Sequence, residues 1–271
     1  MTPSPWEQGF AAAIAKPAAD INLLEAALWI AKSEYPNLEP QAYFDVVDRM
    51  ALEAQSYLPE AAYPLKIIQG LNRFFFKGLD FTGNQENYYD PRNSYLNEVI
   101  ERRTGIPISL AILYREVSNR LDFPMIGVGM PGHFLLKPNF PEAGIYVDVF
   151  HEGAVLFPED CAQLINGIYG ESVDFDPDWL APISAPDILL RMLNNLRAIF
   201  LQQGKWQKMK QNLEFCLLLV PDNPQFRRDR GLICYQLEQT RQAIPDLEFY
   251  VQNCPQNADV AMIHQLLDKI R

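Results

Sequence analysis

The sequence is poor in cysteine and histidine, short of positive charge, and without any long apolar run. Its four cysteines, Cys161, Cys216, Cys234 and Cys254, lie far apart and form no CxxC pair. Zinc-ribbon and dithiol-redox readings therefore lack support, and no metal or cofactor is expected. Scattered free thiols fit a reducing, cytoplasmic setting. Lys and Arg number 23 against 34 Asp and Glu, a formal net charge of −11. That charge repels nucleic acid and anionic lipid and argues against both as partners. No apolar run is long enough for a membrane span. The opening MTPSPWEQGF lacks the basic-then-apolar order of a secretory signal. With only three histidines, His133, His151 and His264, imidazole chemistry has few places to sit.

What is present fills a core. The 271 residues are 48% hydrophobic, enough for one large domain or two ordinary ones. The first part reads as helical. Ile21, Leu24, Ala27 and Leu28 repeat at helical spacing across Asp20–Lys32, with Asp20 placed to cap. Pro36 breaks the pattern. Tyr43, Val46, Val47, Met50 and Leu52 mark a second helix, and Leu65, Ile68, Leu71 and Phe75, after Pro64, a third. Thr82–Ser94, TGNQENYYDPRNS, is rich in turn formers and reads as a loop. Helical patterning resumes over Tyr95–Arg103 and ends at Gly105. Pro107 suits the first turn of the next helix, where its missing N–H costs nothing. Leu110, Leu113, Val117 and Leu121 give that helix a buried stripe and place Ser109 in or beside its first turn.

Short runs follow at Met125–Val128, His133–Lys137, Ile145–Phe150 and Ala154–Leu156, separated by Pro-Gly, by PNFPEAG and by HEG. They predict a small antiparallel sheet against the Ser109 helix. Composition shifts at Val173–Asp187, where three prolines mark a domain boundary. Beyond it NLEFCLLLVPDN, Asn212–Asn223, aligns with DLEFYVQNCPQN, Asp246–Asn257, at an offset of 34 residues, the tetratricopeptide period. Two repeats and a closing helix near Val260–Ile270 make a short array, expected to lean on the first domain.

A helix start, a histidine and an aspartate in this order have the parts of a nucleophile, a base and a group that holds the base. A helix N-terminus favours developing negative charge. A thiolate gains most from that field, whereas a serine must hand its proton to histidine. Ser109, His133 and Asp148 are the candidates. For Ser109 the alternative is a helix cap; for His133, a core histidine with one hydrogen bond. For Asp148, a carboxylate between Val147 and Val149 wants a partner, and His133 is the natural one.

NSYLNEVIERRTGIPISLAILY, PGHFLLK and YVDVF together resemble the transglutaminase-like core of the SirB-type bacterial proteins, which carry C-terminal tetratricopeptide repeats. The resemblance implies a Cys–His–Asp triad in catalytic relatives, with Ser109 at the cysteine position, His133 at the histidine and Asp148 at the aspartate. It implies an α+β fold: a transglutaminase-like domain at 1–182, with a helical lead-in over 1–81 and a core over 94–182, then an all-α array over 187–271. Asn93 and Asn97 are candidate donors toward the cleft. Arg102 and Arg103 are a candidate anion grip, with ion pairing to Glu98 and Glu101 as the alternative. Tyr88, Tyr89 and Tyr95 either line a groove or pack. Cys161 reads as apolar filler, and His151 and Glu152 as exposed turn residues. The function expected first is a cytoplasmic interaction scaffold on a degenerate core, with a protein or peptide partner. The alternatives are a Ser–His–Asp hydrolase or acyl transferase acting on an amide or ester, and a purely structural role. Oligomeric state is left open.

Overall fold

The computed structural model describes residues 4–60, 63–140, 143–170 and 173–271. Two compact units divide at Met192 and Leu193.

The first unit begins with helices α1 (Pro5–Ile14), α2 (Leu23–Lys32), α3 (Pro40–Ala54) and α4 (Pro64–Asn72). Prolines open three of them, where a lost N–H is harmless. Asn22, not Asp20, caps α2: its side chain accepts the Glu25 N–H at 2.9 Å. Asp20 belongs to a preceding three-residue turn. After α4 a π-helical turn, Arg73–Gly78, turns Phe74, Phe75 and Phe76 inward. Phe75 then packs on the ring of the fully buried Tyr114, 4.9 Å between centroids.

The segment predicted as a loop contains one short strand, β1 (Thr82–Gly83), which pairs in parallel with β2 (Thr104–Gly105). Between them lies α5 (Leu96–Arg102). This helix ends at Arg103 in the left-handed conformation, φ 54°, so Arg103 rather than Gly105 closes it. Helix α6 (Pro107–Arg120) starts at Pro107 as predicted, and Leu110, Leu113 and Val117 are buried. Leu121 lies past the helix and is only partly buried.

Strands β3 (Met125–Val128), β4 (Leu135–Pro138), β5 (Tyr146–Asp148) and β6 (Ala154–Leu156) form one antiparallel sheet in that order. Of the turn between β4 and β5, Pro141 and Glu142 lie outside the described residues. A short 3₁₀ turn, Val149–His151, separates β5 from β6. One face of the sheet buries Val128, Met130, Leu135 and Tyr146 against Cys161 and Ile165 of helix α7 (Pro158–Tyr169), which the periodicity did not reveal. Cys161 is the apolar filler expected of it.

Helix α8 (Ala185–Gln202) crosses the division between the units. The second unit continues with α9 (Trp206–Leu219), α10 (Pro224–Gln236), α11 (Thr240–Asn253) and α12 (Val260–Ile270). Both ends of α9 recur in α11 at an offset of 34 residues (240 − 206 and 253 − 219), and the C-terminal ends of α8 and α10 share it (236 − 202). Repetition of whole elements, not only of identities, is the signature of stacked helical hairpins. Gly231 keeps α10 close to α11, since a Cβ there would stand 2.8 Å from the Leu247 side chain. Asp246, almost fully buried, binds Arg230 through two bonds of 2.6 and 2.8 Å and receives Arg227 at 3.4 Å.

Candidate functional site

The His133 loop is a turn built by Pro131 and Gly132. Gly132 takes φ +72°, which an L side chain resists, and the His133 N–H returns to the Met130 carbonyl at 3.3 Å. His133 therefore precedes β4 by two residues rather than lying on it. Three carbonyls of the loop, of Gly129, Met130 and His133, accept from the Arg191 guanidinium, at 3.0 Å for Gly129 and 2.6 Å for His133. Burial pulls the Arg191 pKa below its ordinary value. Carbonyl dipoles stand in for its lost water.

Asp148 ends β5 and is 2% exposed. Its Oδ2 receives the His133 Nε2–H at 2.9 Å and the His151 Nδ1–H at 2.7 Å. Its Oδ1 receives the backbone N–H groups of Phe150 at 3.1 Å and His151 at 3.3 Å. Burial alone would raise this carboxyl, but the bonds and charge from His133, then His151, outweigh it and hold Asp148 below the usual carboxylate range. The two imidazoles stack at 28° with centroids 5.8 Å apart, and Phe150 meets both edge-on. Gly83 leaves room for Phe150, whose ring a Cβ would reach at 2.6 Å. The turn is tied to the helices through Asn72, which donates to the Gly153 carbonyl at 2.7 Å and accepts from Tyr114 at 2.9 Å.

Ser109 is fully buried at the third position of α6. Its hydroxyl accepts the Ile106 N–H at 3.1 Å and has its shortest contact, 2.6 Å, to the Asn93 carbonyl. The Ile106 carbonyl stands farther off, at 3.1 Å. A hydroxyl has one proton, and the Asn93 carbonyl is its nearest acceptor. Among the described residues Ser109 makes no hydrogen bond to His133. The structure thus joins His133 to Asp148 and turns Ser109 toward backbone.

The remaining candidates separate in the same way. Asn93 is fully buried and braces its own loop, donating to the Asn87 carbonyl at 2.8 Å and accepting from Asn84 at 3.1 Å. Asn97 is buried, and its Oδ1 has no hydrogen-bond partner among the described residues. Arg102 faces Glu98 at 4.0 Å, the ion-pair alternative, and also lines a polar depression of about 550 Å³ with Asn84, Tyr88 and Arg92. Arg103 is exposed at the end of α5. Tyr95 is buried and packs on Tyr35, Tyr88 packs on Phe150, and Tyr89 is 63% exposed. His264 is exposed in α12.

Sequence reasoning missed two residues. His151 is 46% exposed, as a turn residue should be, yet it bonds Asp148; the Asp-x-x-His spacing was the available signal. Arg191 gave none, because its carbonyl acceptors lie some sixty residues away. His133, Asp148 and His151 together bring three metal-ligating atoms within 4.8 Å of one another.

Comparison with known proteins follows the same division. A transglutaminase-like superfamily model matches residues 41–194, and a tetratricopeptide repeat model matches residues 196–268. A UPF0162 protein of Xylella fastidiosa (strain 9a5c) is 37% identical over 245 residues, 89% of this chain and 87% of the relative. A UPF0162 protein of Vibrio cholerae is 29% identical over 236 residues, covering 87% of each. F-box only protein 21 of Homo sapiens is 29% identical over 186 residues, 63% of this chain and 28% of that protein. No solved structure matches.

Proposed function

The chain belongs to the UPF0162 proteins of the transglutaminase-like superfamily, and on that premise we propose that it is a cytoplasmic interaction scaffold with a degenerate core. The observation that carries this reading is the Ser109 hydroxyl, fully buried and committed to the Asn93 carbonyl. A serine nucleophile needs its proton passed to a base and its oxygen open to a carbonyl carbon. Neither condition fits a hydroxyl held between the Asn93 carbonyl and the Ile106 N–H. The SirB-type character, carried by the motifs around Ser109, His133 and Asp148, is part of this proposal.

The ligands in this reading are peptide segments, taken by the tetratricopeptide region. Stacked helical hairpins offer a continuous concave surface, and such surfaces bind extended or helical segments. Among the described residues no helix is long and apolar enough to cross a membrane. Four unpaired cysteines support the cytoplasmic assignment.

Selection of displayed peptides against the full chain tests the proposal. Selected peptides should bind saturably, remain chemically intact, and protect amides of α9–α11 from exchange. Cleavage or acylation of a bound peptide, or the failure of every selected peptide to saturate, would overturn it.

A further inference from the structure

A base held by an aspartate needs one imidazole on the carboxylate. Here two imidazoles, His133 Nε2 and His151 Nδ1, converge on the single oxygen Oδ2 of Asp148 at 2.9 and 2.7 Å. We propose that His133, Asp148 and His151 form a binding site for a divalent transition-metal ion of the zinc class, independent of Ser109.

Three observations support the assignment. The ligand types are right: two neutral imidazoles and one carboxylate make a common protein set for zinc and its neighbours, with remaining positions left to water. The spacing is close to what such an ion needs. With metal–ligand bonds of about 2.0–2.2 Å in a tetrahedral arrangement, neighbouring ligand atoms stand about 3.3–3.6 Å apart, against 2.7 and 2.9 Å for the two histidine–oxygen pairs. All three atoms lie within 4.8 Å of one another, so a small opening of the two histidine–oxygen pairs makes room for the ion between them. His151 has the freedom to do so, being 46% exposed on a three-residue turn.

The third observation is the outer support. Asp148 Oδ1 is occupied by the backbone N–H groups of Phe150 and His151, which leaves Oδ2 as the ligating atom. The His133 backbone is pinned by Arg191 through the carbonyls of Gly129, Met130 and His133 itself. Partners of this kind orient ligands at metal centres. In the metal-free protein both ring N–H groups point at Asp148. On binding, each neutral ring takes the opposite tautomer, its proton moving to His133 Nδ1 or His151 Nε2, so the ligating nitrogens present lone pairs and no net proton is lost. The lack of cysteine pairs excludes thiolate sites and does not bear on this one.

Calorimetric titration of the chelator-treated full chain with Zn²⁺ tests the proposal, with Co²⁺ absorption as a second readout. One equivalent should bind, with visible d–d bands for Co²⁺. His151→Ala should weaken binding by about a hundredfold and His151→Asn by about as much; the asparagine keeps a donor for Asp148 and guards against misfolding. Ser109→Ala and His264→Ala should leave binding unchanged. Absence of a one-to-one event in the wild type, or binding as tight as wild type in either His151 variant, would overturn the assignment and mark any residual binding as adventitious.

Discussion

The Ser109 hydroxyl lies 2.6 Å from the Asn93 carbonyl, and this bond sets what the start of α6 can do. The serine closes the turn before the helix: it accepts the Ile106 N–H and donates its own O–H to the Asn93 carbonyl of the preceding loop. Gly105 makes the arrangement possible, because a Cβ there would lie 2.8 Å from Ser109 Oγ.

Ser109→Ala should therefore behave as the loss of a buried cap. Two backbone groups lose their partner, which costs about 1–2 kcal/mol. Urea unfolding of the full chain, followed by circular dichroism, reads this directly. A cost near zero would show that the bonds at Asn93 and Ile106 carry no weight.

Asp246 tests the array in the same manner. Its carboxylate is 2% exposed and answers two arginines, Arg227 and Arg230. Asp246→Ala leaves two half-buried cations without their counter-charge and should cost about 3 kcal/mol. Loss of protection in α10 and α11 by hydrogen exchange would locate the damage. An unchanged exchange pattern would place the stability of the array elsewhere.

The thiols give a prediction in pH. Burial, with the nearby Asp160 carboxylate, pushes Cys161 up to about 11, and burial pushes Cys216 up to about 12. Cys234 is raised for the same first reason, desolvation. A raised thiol pKa lowers the thiolate fraction, so at about pH 8 a thiol at 11 is ionised in about one molecule in a thousand. Only the half-buried Cys254 should react quickly with a disulfide reagent in the native protein. Cys254→Ser should abolish the fast phase; a second fast thiol would contradict the burial of the other three.

How much of this was legible depended on whether the cause lay close in the chain. Pro107 announces α6 because proline suits only the first turn, and Ser109 two residues on is placed with it. Asp148 declares itself as a charge between two valines on a strand. The 34-residue recurrence fixes α9 and α11 against each other before any coordinates. His151 was hidden because HEG reads as a turn, and turn residues usually face water. It is the 3₁₀ geometry of Val149–His151 that folds the ring back over Asp148. Arg103 in the left-handed region was equally opaque, since arginine carries no preference for it. Arg191 depends on long-range packing alone.

Labelling of the intact chain with a serine-directed fluorophosphonate, read by mass spectrometry with Ser109→Ala as control, tests the central claim most directly. The account predicts no adduct on Ser109 at any probe concentration that leaves the fold intact, because its hydroxyl is buried and donates its hydrogen bond to the Asn93 carbonyl. A saturable, stoichiometric adduct on Ser109 that disappears in the alanine variant would contradict it and establish the serine as a nucleophile.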